Sequence, residues 1–404
     1  MNTKVETALV PKLRFPEFRE LEKWEIKPFQ RLFTIGSGRD YKHLSSGNFP
    51  VYGSGGYMLS VDNFLYDGES VCIGRKGTIN NPMFLTGKFW TVDTLFYTHS
   101  FQQCLPKFVF AVFQRIDWLK HNEAGGIPSL SKTIIEKIQT AVPTIPEQQK
   151  IADCLSSLDE LIAAQARKVG ALKIHKKGLM QQLFPREGET QPRLRFPEFR
   201  NTGDWKLLPI GDKVQLFSGY PFDGPDISQD STGVPLLRGI NVTEGRVRHN
   251  SEIDRYFTGS AEALGKYKLQ LNDLVIGMDG SKVGKNSALI TTADAGALLI
   301  QRVARLRAKS VDLIRFIFQQ INSSTFHRYV DKINTSSGIP HISAKQINEF
   351  SVSFPSDQEQ QHIADCLTLL DDLITATTQK LETLKTHKKG LMQQLFPSAE
   401  DVEA

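Results

Sequence analysis

His175-Lys-Lys-Gly-Leu-Met-Gln-Gln-Leu-Phe-Pro185 returns letter for letter as His387-Lys-Lys-Gly-Leu-Met-Gln-Gln-Leu-Phe-Pro397, 212 positions later. Eleven identities are beyond chance, so the chain contains a duplication. Working outward, the same offset relates Ile151-Ala-Asp-Cys-Leu155 to Ile363-Ala-Asp-Cys-Leu367, Glu147-Gln-Gln149 to Glu359-Gln-Gln361, and Gly126-Ile-Pro128 to Gly338-Ile-Pro340. Nearer the N-terminus the offset is 181: Pro11-Lys-Leu-Arg-Phe-Pro-Glu-Phe-Arg19 returns as Pro192-Arg-Leu-Arg-Phe-Pro-Glu-Phe-Arg200. Trp24 and Trp205, Pro28 and Pro209, and Ser37-Gly38 and Ser218-Gly219 keep that offset. The second unit is therefore longer by 31 residues, all gained between shared blocks. Each unit reads as an anchor, a variable domain and a shared helix.

The repeated helix carries the clearest periodicity. Ile151, Leu155, Leu158, Ile162, Val169, Leu172 and Leu179 recur by threes and fours, and so do Ile363, Leu367, Leu370, Ile374, Leu381, Leu384 and Leu391. This is a heptad seam, interrupted at Gln165 and Thr377. Thr144-Ile-Pro-Glu147 and Ser356-Asp-Gln-Glu359 fit the capping box that opens a helix. Pro185 and Pro397 close both, because proline cannot continue the ladder. About 40 residues at 1.5 Å each make a rod of roughly 60 Å. Two burials are open to such a stripe: against the other copy, or each against its own domain. The regularity over five turns favours the pair, with Ile151, Leu155, Leu158, Ile162, Val169 and Leu172 facing Ile363, Leu367, Leu370, Ile374, Leu381 and Leu384. Gly178 and Gly390, costly inside a helix, suggest a close approach there or a simple kink.

The segments between are α+β in character. Ser70–Ile73, Phe89–Val92 and Thr94–Tyr97 are short β-rich runs among glycine turns, followed by a helix over about 108–119. Val234–Leu237, Leu274–Ile276 and Ala297–Ile300 repeat the plan, with a helix over about 310–330. The division expected is 1–145 for anchor and first variable domain and 146–185 for the first helix. The second anchor and variable domain take 186–357, the second helix 358–397, and an acidic tail 398–404.

Composition fits a folded chain of several domains: 404 residues, 40% hydrophobic, 23% charged, net charge +5. No apolar run is long enough for a signal peptide or a bilayer span, which leads to the expectation of a cytoplasmic protein. Cys72, Cys104, Cys154 and Cys366 form no CxxC pair and read as small core residues of a reducing compartment.

Catalytic signatures fail one by one. Gly280-Ser-Lys-Val-Gly-Lys285 is a residue short of a phosphate loop, and Asn286 stands where Ser or Thr is needed. Phe33-Thr-Ile-Gly-Ser-Gly38 has one residue too many for a methyl-donor glycine motif, and Asn80-Asn-Pro-Met-Phe84 is not the motif by which adenine methyltransferases grip a base. The nine histidines make no metal-ligand spacing, so the chain reads as non-catalytic. What the variable domains offer is basic and aromatic residues on turns. The first has Arg39, Tyr41, Lys42, Tyr52, Tyr57, Arg75, Lys76 and Trp90; the second has Tyr220, Arg238, Asn241, Arg246, Arg248, Lys282 and Lys285. Such residues neutralise phosphates, and arginine and asparagine also pair with guanine and adenine edges. For any one of them a solvated surface charge is the ordinary explanation; a set on turns in each of two parallel domains is harder to dismiss.

These marks together resemble the DNA-specificity subunit of type I restriction–modification systems. The resemblance rests on the LRFPEF anchors with their tryptophans, Cys72-Ile-Gly-Arg-Lys-Gly-Thr78 and Leu274-Val-Ile-Gly-Met-Asp-Gly-Ser-Lys-Val-Gly284. The GIPSLS and GIPHIS segments, PEQQKIA, and the helix ending in KKGLMQQLFP complete it. It spans essentially the whole chain, twice. It implies two target-recognition domains, each reading half of a split site in double-stranded DNA. It also implies that the two helices run antiparallel with pseudo-twofold symmetry, as a spacer and a dock for two modification subunits. S-adenosylmethionine, ATP and Mg would belong to those methyltransferase subunits and to restriction subunits, and none to this chain. A rod of roughly 60 Å bounds the half-site separation at about 18 base pairs, and unequal domains imply an asymmetric target. Two other readings stand beside it: a coiled-coil scaffold whose variable domains bind protein, and a stand-alone DNA-modifying enzyme with an atypical site.

Overall fold

The computed structural model describes residues 9–334 and 340–397. The expected acidic tail 398–404, and Gly338 and Ile339 of the second GIP segment, lie outside the described residues. The fold is α+β and divides into two compact units: residues 1–167 with 378–404, and residues 168–377.

Both units follow one plan. In the first, Glu25–Pro28 pairs antiparallel with Gln139–Val142, so the segment after the anchor meets the segment before the long helix. One sheet runs Thr34–Ser37, Leu95–His99, Ser70–Gly74, Met83–Leu85, all antiparallel. The other runs Gly56–Val61, Ser46–Gly53, Lys88–Thr91, Tyr66–Asp67, its middle pair parallel. The second unit repeats the order of the first sheet, while in the other sheet the fourth strand sits at the opposite edge. Lys206–Pro209 pairs with Ser351–Phe354; one sheet runs Val214–Ser218, Val303–Ala308, Leu274–Gly277, Ser287–Leu289. The other runs Ile227–Ser228, Arg255–Phe257, Val234–Leu237, Leu298–Leu299, its last pair parallel. The second unit adds a hairpin, Val242–Thr243 with Arg246–Val247.

The shared Ser-Gly has a physical reason. A Cβ on Gly38 would overlap the carbonyl oxygen of Val92, and one on Gly219 would overlap that of Ile300. Two backbones cross there in both units, and only glycine admits the crossing. The helix expected over about 310–330 is two, Val311–Ile321 and Ser324–Ile333, because Ser323 caps the second by accepting from the Phe326 N–H.

The long helices are Ile145–Leu183 and Asp357–Gln394. Their opening differs from the capping box. Ser356 Oγ does accept from the Glu359 N–H, but Glu359 and Glu147 turn inward, each 1% exposed. Glu147 receives Arg14 Nε and Nη2 at 2.8 Å each; Glu359 receives Arg195 Nε and Nη2 at 2.7 Å each. The remaining guanidinium donors reach the carbonyls of Leu21 and Glu22, and of Thr202 and Gly203. The arginine of each LRFPEF anchor is thus a buried cation with four hydrogen bonds, two of them to a carboxylate, which is the kind of compensation that burying a charge requires. It ties the anchor to the start of the helix.

In each unit the head of one long helix lies beside the tail of the other, antiparallel. In the first, Ile151 and Leu155 share a core with Met392, Leu395 and Phe396, and Phe396 stacks on Phe108 at 5.6 Å. Lys388 Nζ meets Asp159 at 2.6 Å, and the Leu13 N–H donates to the Gln394 carbonyl. In the second, Ile363 and Leu367 share a core with Leu183 and Phe184; Lys176 meets Asp371 at 2.6 Å, and the Leu194 N–H donates to the Gln182 carbonyl. The ion pair and the backbone hydrogen bond of each unit are repeat images of those in the other. Of the predicted seam, Ile151, Leu155 and Leu381 are buried and Leu158, Ile162 and Leu384 half-buried in the first unit. Val169, Ile363 and Leu367 are buried and Leu172, Leu370 and Ile374 half-buried in the second. The close approach expected at Gly178 and Gly390 is absent among the described residues: a Cβ on either meets nothing within 4 Å.

Candidate nucleic-acid interface

The recurring Ile-Gly turns each line a cleft, and the same backbone bonds build both. In the first unit the strand Ser70–Gly74 runs into Arg75-Lys76-Gly77. The Arg75 N–H donates to the Thr94 carbonyl, the Gly77 N–H to Pro128, and the Leu130 N–H to Arg75, at 2.8–2.9 Å. In the second, Met278, Gly280 and Ile342 donate to Arg302, Pro340 and Met278, at 2.9–3.2 Å. Gly77 and Gly280 hold φ of +90° and +88°, a turn that a side chain would strain. So Arg75 corresponds to Met278, Lys76 to Asp279, and Thr94 to Arg302. The frame is shared and the groups it presents are not.

The first cleft, about 700 Å³, is lined by Ser37, Arg75, Lys76, Glu123, Ile127 and Lys132 among others. Arg75 and Lys76 are exposed, and among the described residues neither forms an ion pair. The Arg75 guanidinium lies 6.0 Å from the Phe96 ring, so an aromatic face sets its direction. Of the other first-unit candidates, Arg39, Lys42 and Tyr57 are exposed but outside this lining. Tyr41 is half-buried against a small core that contains Trp90. Trp90 itself donates its indole N–H to the Arg39 carbonyl, and so supports the loop instead of facing a ligand.

The second cleft, about 710 Å³, brings together Arg238, Arg248 and Lys282 with Glu244, Asp279 and Arg302. Arg238 Nη1 donates to the Ile253 carbonyl and Arg248 Nε to that of Ile240. Lys282 pairs with Glu244 at 2.9 Å, and Lys285, outside the lining, with Asp331 at 2.8 Å. Tyr220 packs edge-on to Phe222, and Arg246 stands exposed on the added hairpin. Asn241 is a correction. It is 1% exposed, and its amide donates to the Arg248 carbonyl and to Asp254, so it holds the loop beneath Arg248 and reaches no base. Lys132, Asp279 and Arg302 were missed. Lys132 follows GIPSLS directly and Asp279 lies inside the second IG motif, so both were findable; Arg302 carries no local signal.

Among the described residues no group of three or more His, Cys, Asp or Glu side chains is placed to hold a metal ion. Cys72 is a packing residue: burial pushes its thiol up to about 12. Two heads of one architecture thus carry differently lined clefts, each with more cationic than anionic side chains. A family model for the type I restriction modification DNA specificity domain matches residues 21–173 and 230–386, and the chain belongs to that family. The specificity subunit of the type I restriction enzyme MjaVIII of Methanocaldococcus jannaschii is 26% identical over 346 residues, 82% of this chain and 77% of that protein. The EcoAI specificity subunit of Escherichia coli is 26% identical over 283 residues, 69% of this chain and 45% of that protein. Among solved structures, the S subunit of a type I restriction–modification system from M. genitalium has a TM-score of 0.68 at 15% identity. That alignment covers 96% of this chain and 100% of that one, a likeness of fold.

Proposed function

We propose that this chain is the sequence-reading subunit of a type I restriction–modification complex, each head taking one half of a split site in double-stranded DNA. The observation that carries the reading is the recurrence of one cleft frame in both units with unlike linings: Arg75 and Lys76 in one, Asp279 and Arg302 in the other. A single active site would need no second frame, and a protein-binding scaffold would not need a cation set in each. The paired helices are the dock for two modification subunits. Those subunits carry S-adenosylmethionine and the adenine chemistry, and restriction subunits carry ATP and Mg. The place of work is the cytoplasm; among the described residues no helix is long and apolar enough to cross a membrane.

Because the linings differ, the target is asymmetric. Sequencing methylated adenines in a host that carries the chain with its partners is expected to give two unlike half-sites at fixed separation; a palindrome would refute this. Arg75→Ala is expected to weaken binding about 5- to 150-fold if the guanidinium pairs with a base edge. If it meets a phosphate, the salt slope falls by about one instead. Unchanged affinity and salt slope would remove Arg75 from the interface.

A further inference from the structure

Arg302 stands out in the second cleft for its backbone. Its φ is +67°, in the left-handed region that side chains other than glycine avoid. Neither Arg302 nor its neighbour Gln301 is glycine, and the turn is fixed from three sides. The Met278 N–H donates to the Arg302 carbonyl, Gln301 N–H donates to Tyr220, and Ile300 N–H donates to Leu237. Thr94, in the corresponding place of the first unit, has no positive φ. A strained arginine at the mouth of a cleft is an observation from which function is fairly sought.

Its side chain is 65% exposed, and Nη1 donates to Asp279 Oδ2 at 2.9 Å, the carboxylate being 25% exposed. That bond uses one of five N–H donors. The others have no partner among the described residues, whereas Arg238 and Arg248 are each tied to a scaffold carbonyl. A guanidinium oriented by a carboxylate presents a planar fork whose spacing matches O6 and N7 of guanine in the major groove. A phosphate contact fits poorly, because Asp279 beside it would repel the phosphate and cancel the attraction.

We infer that Arg302, oriented by Asp279, reads a guanine in the half-site taken by the second cleft; this rests on the DNA-reading function proposed above. The test is selection from a randomised duplex library by the full chain, comparing wild type with Arg302→Gly, Arg302→Lys and Asp279→Asn. Glycine relieves the backbone, so loss of folding does not confound it. Arg302→Gly is expected to lose about 5- to 150-fold preference for guanine at one position of one half-site, with the other half-site unchanged. Arg302→Lys, which keeps the charge and loses the fork, loses most of the same preference, and Asp279→Asn weakens it at the same position. Unaltered base preferences in Arg302→Gly would overturn the inference and leave the DNA-reading function standing. So would a uniform loss of affinity across all sequences, the mark of a phosphate contact. A wild-type chain that enriched no sequence would overturn that function and the inference with it.

Discussion

Arg14 and Arg302 both sit beside one carboxylate, yet their surroundings make them opposites. Arg14 is enclosed with Glu147, and its pKa lies above the ordinary value chiefly through the hydrogen bond to that carboxylate, against the pull of burial. Removing one member of such a pair strands a buried charge. Arg14→Ala is therefore expected to cost about 3–5 kcal/mol, read as a lowered urea midpoint for the first unit; a loss below about 1 kcal/mol would show the pair to be incidental. Arg302 is exposed and strained, so Arg302→Gly is expected to stabilise the second unit by about 1 kcal/mol, roughly 2–4 °C in its melting temperature. No gain would mean that the turn stores no strain. The Arg14–Glu147 pair also shows why residue roles were half legible. Both residues stood in repeated blocks, so their importance was visible, but the local pattern assigned Glu147 to capping. Nothing local names a partner 133 positions away.

At the scale of elements, periodicity and glycine did most of what they could. The heptad seam located both long helices, and Gly77 and Gly280 marked the turns that line the clefts. The loop under Arg248 was illegible, because its order comes from a side chain that bridges separate segments. His249 Nδ1 lies 3.0 Å from Asp254, and Nε2 lies 2.8 Å from Asp294. Burial works against a charge on this ring, but hydrogen bonds to Asp294 and Asp254 outweigh it, and the pKa is raised. A neutral imidazole has one N–H and can donate to only one carboxylate; the cation donates to both. With the folded value above the unfolded one of about 6.5, the stabilisation is complete below that pH and is lost as pH rises through the folded value. His249→Gln should accordingly cost the second unit more stability at pH 5.5 than at pH 8, measured by chemical unfolding at each pH. Equal costs would show that the ring acts only as a neutral donor.

For the whole molecule, the puzzle is why eleven letters should be identical when the heads around them differ. The answer lies in what each compact unit contains. The first unit's core is completed by Met392, Leu395 and Phe396, the second's by Leu183 and Phe184, so the two elevens fill corresponding sockets. Each socket is built from the tryptophan after the anchor, the head of the long helix, and a helix of the variable domain, Pro106–Arg115 or Val311–Ile321. The variable linings take no part, and a change in one eleven would have to suit the same shape. The duplication was plain in the sequence; which head each tail enters was not, since identical letters fit either. A sharp consequence follows. Ending the chain after Thr386 removes the tail from the first unit's core and leaves His175–Pro185 in place. Met392, Leu395 and Phe396 are buried, and at 1.5–3 kcal/mol each their loss amounts to about 5–9 kcal/mol. Arg115 Nη2 also loses the Pro397 carbonyl, to which it donates at 2.9 Å. Domains are stable by only about 5–15 kcal/mol, so the first unit should open although none of residues 9–143 has been touched. Limited proteolysis is expected to cut the truncated chain first within 25–143, and library selection should keep the second half-site while the first turns degenerate. Wild-type protection of 25–143 after truncation would mean that the tail merely rests on a core complete without it.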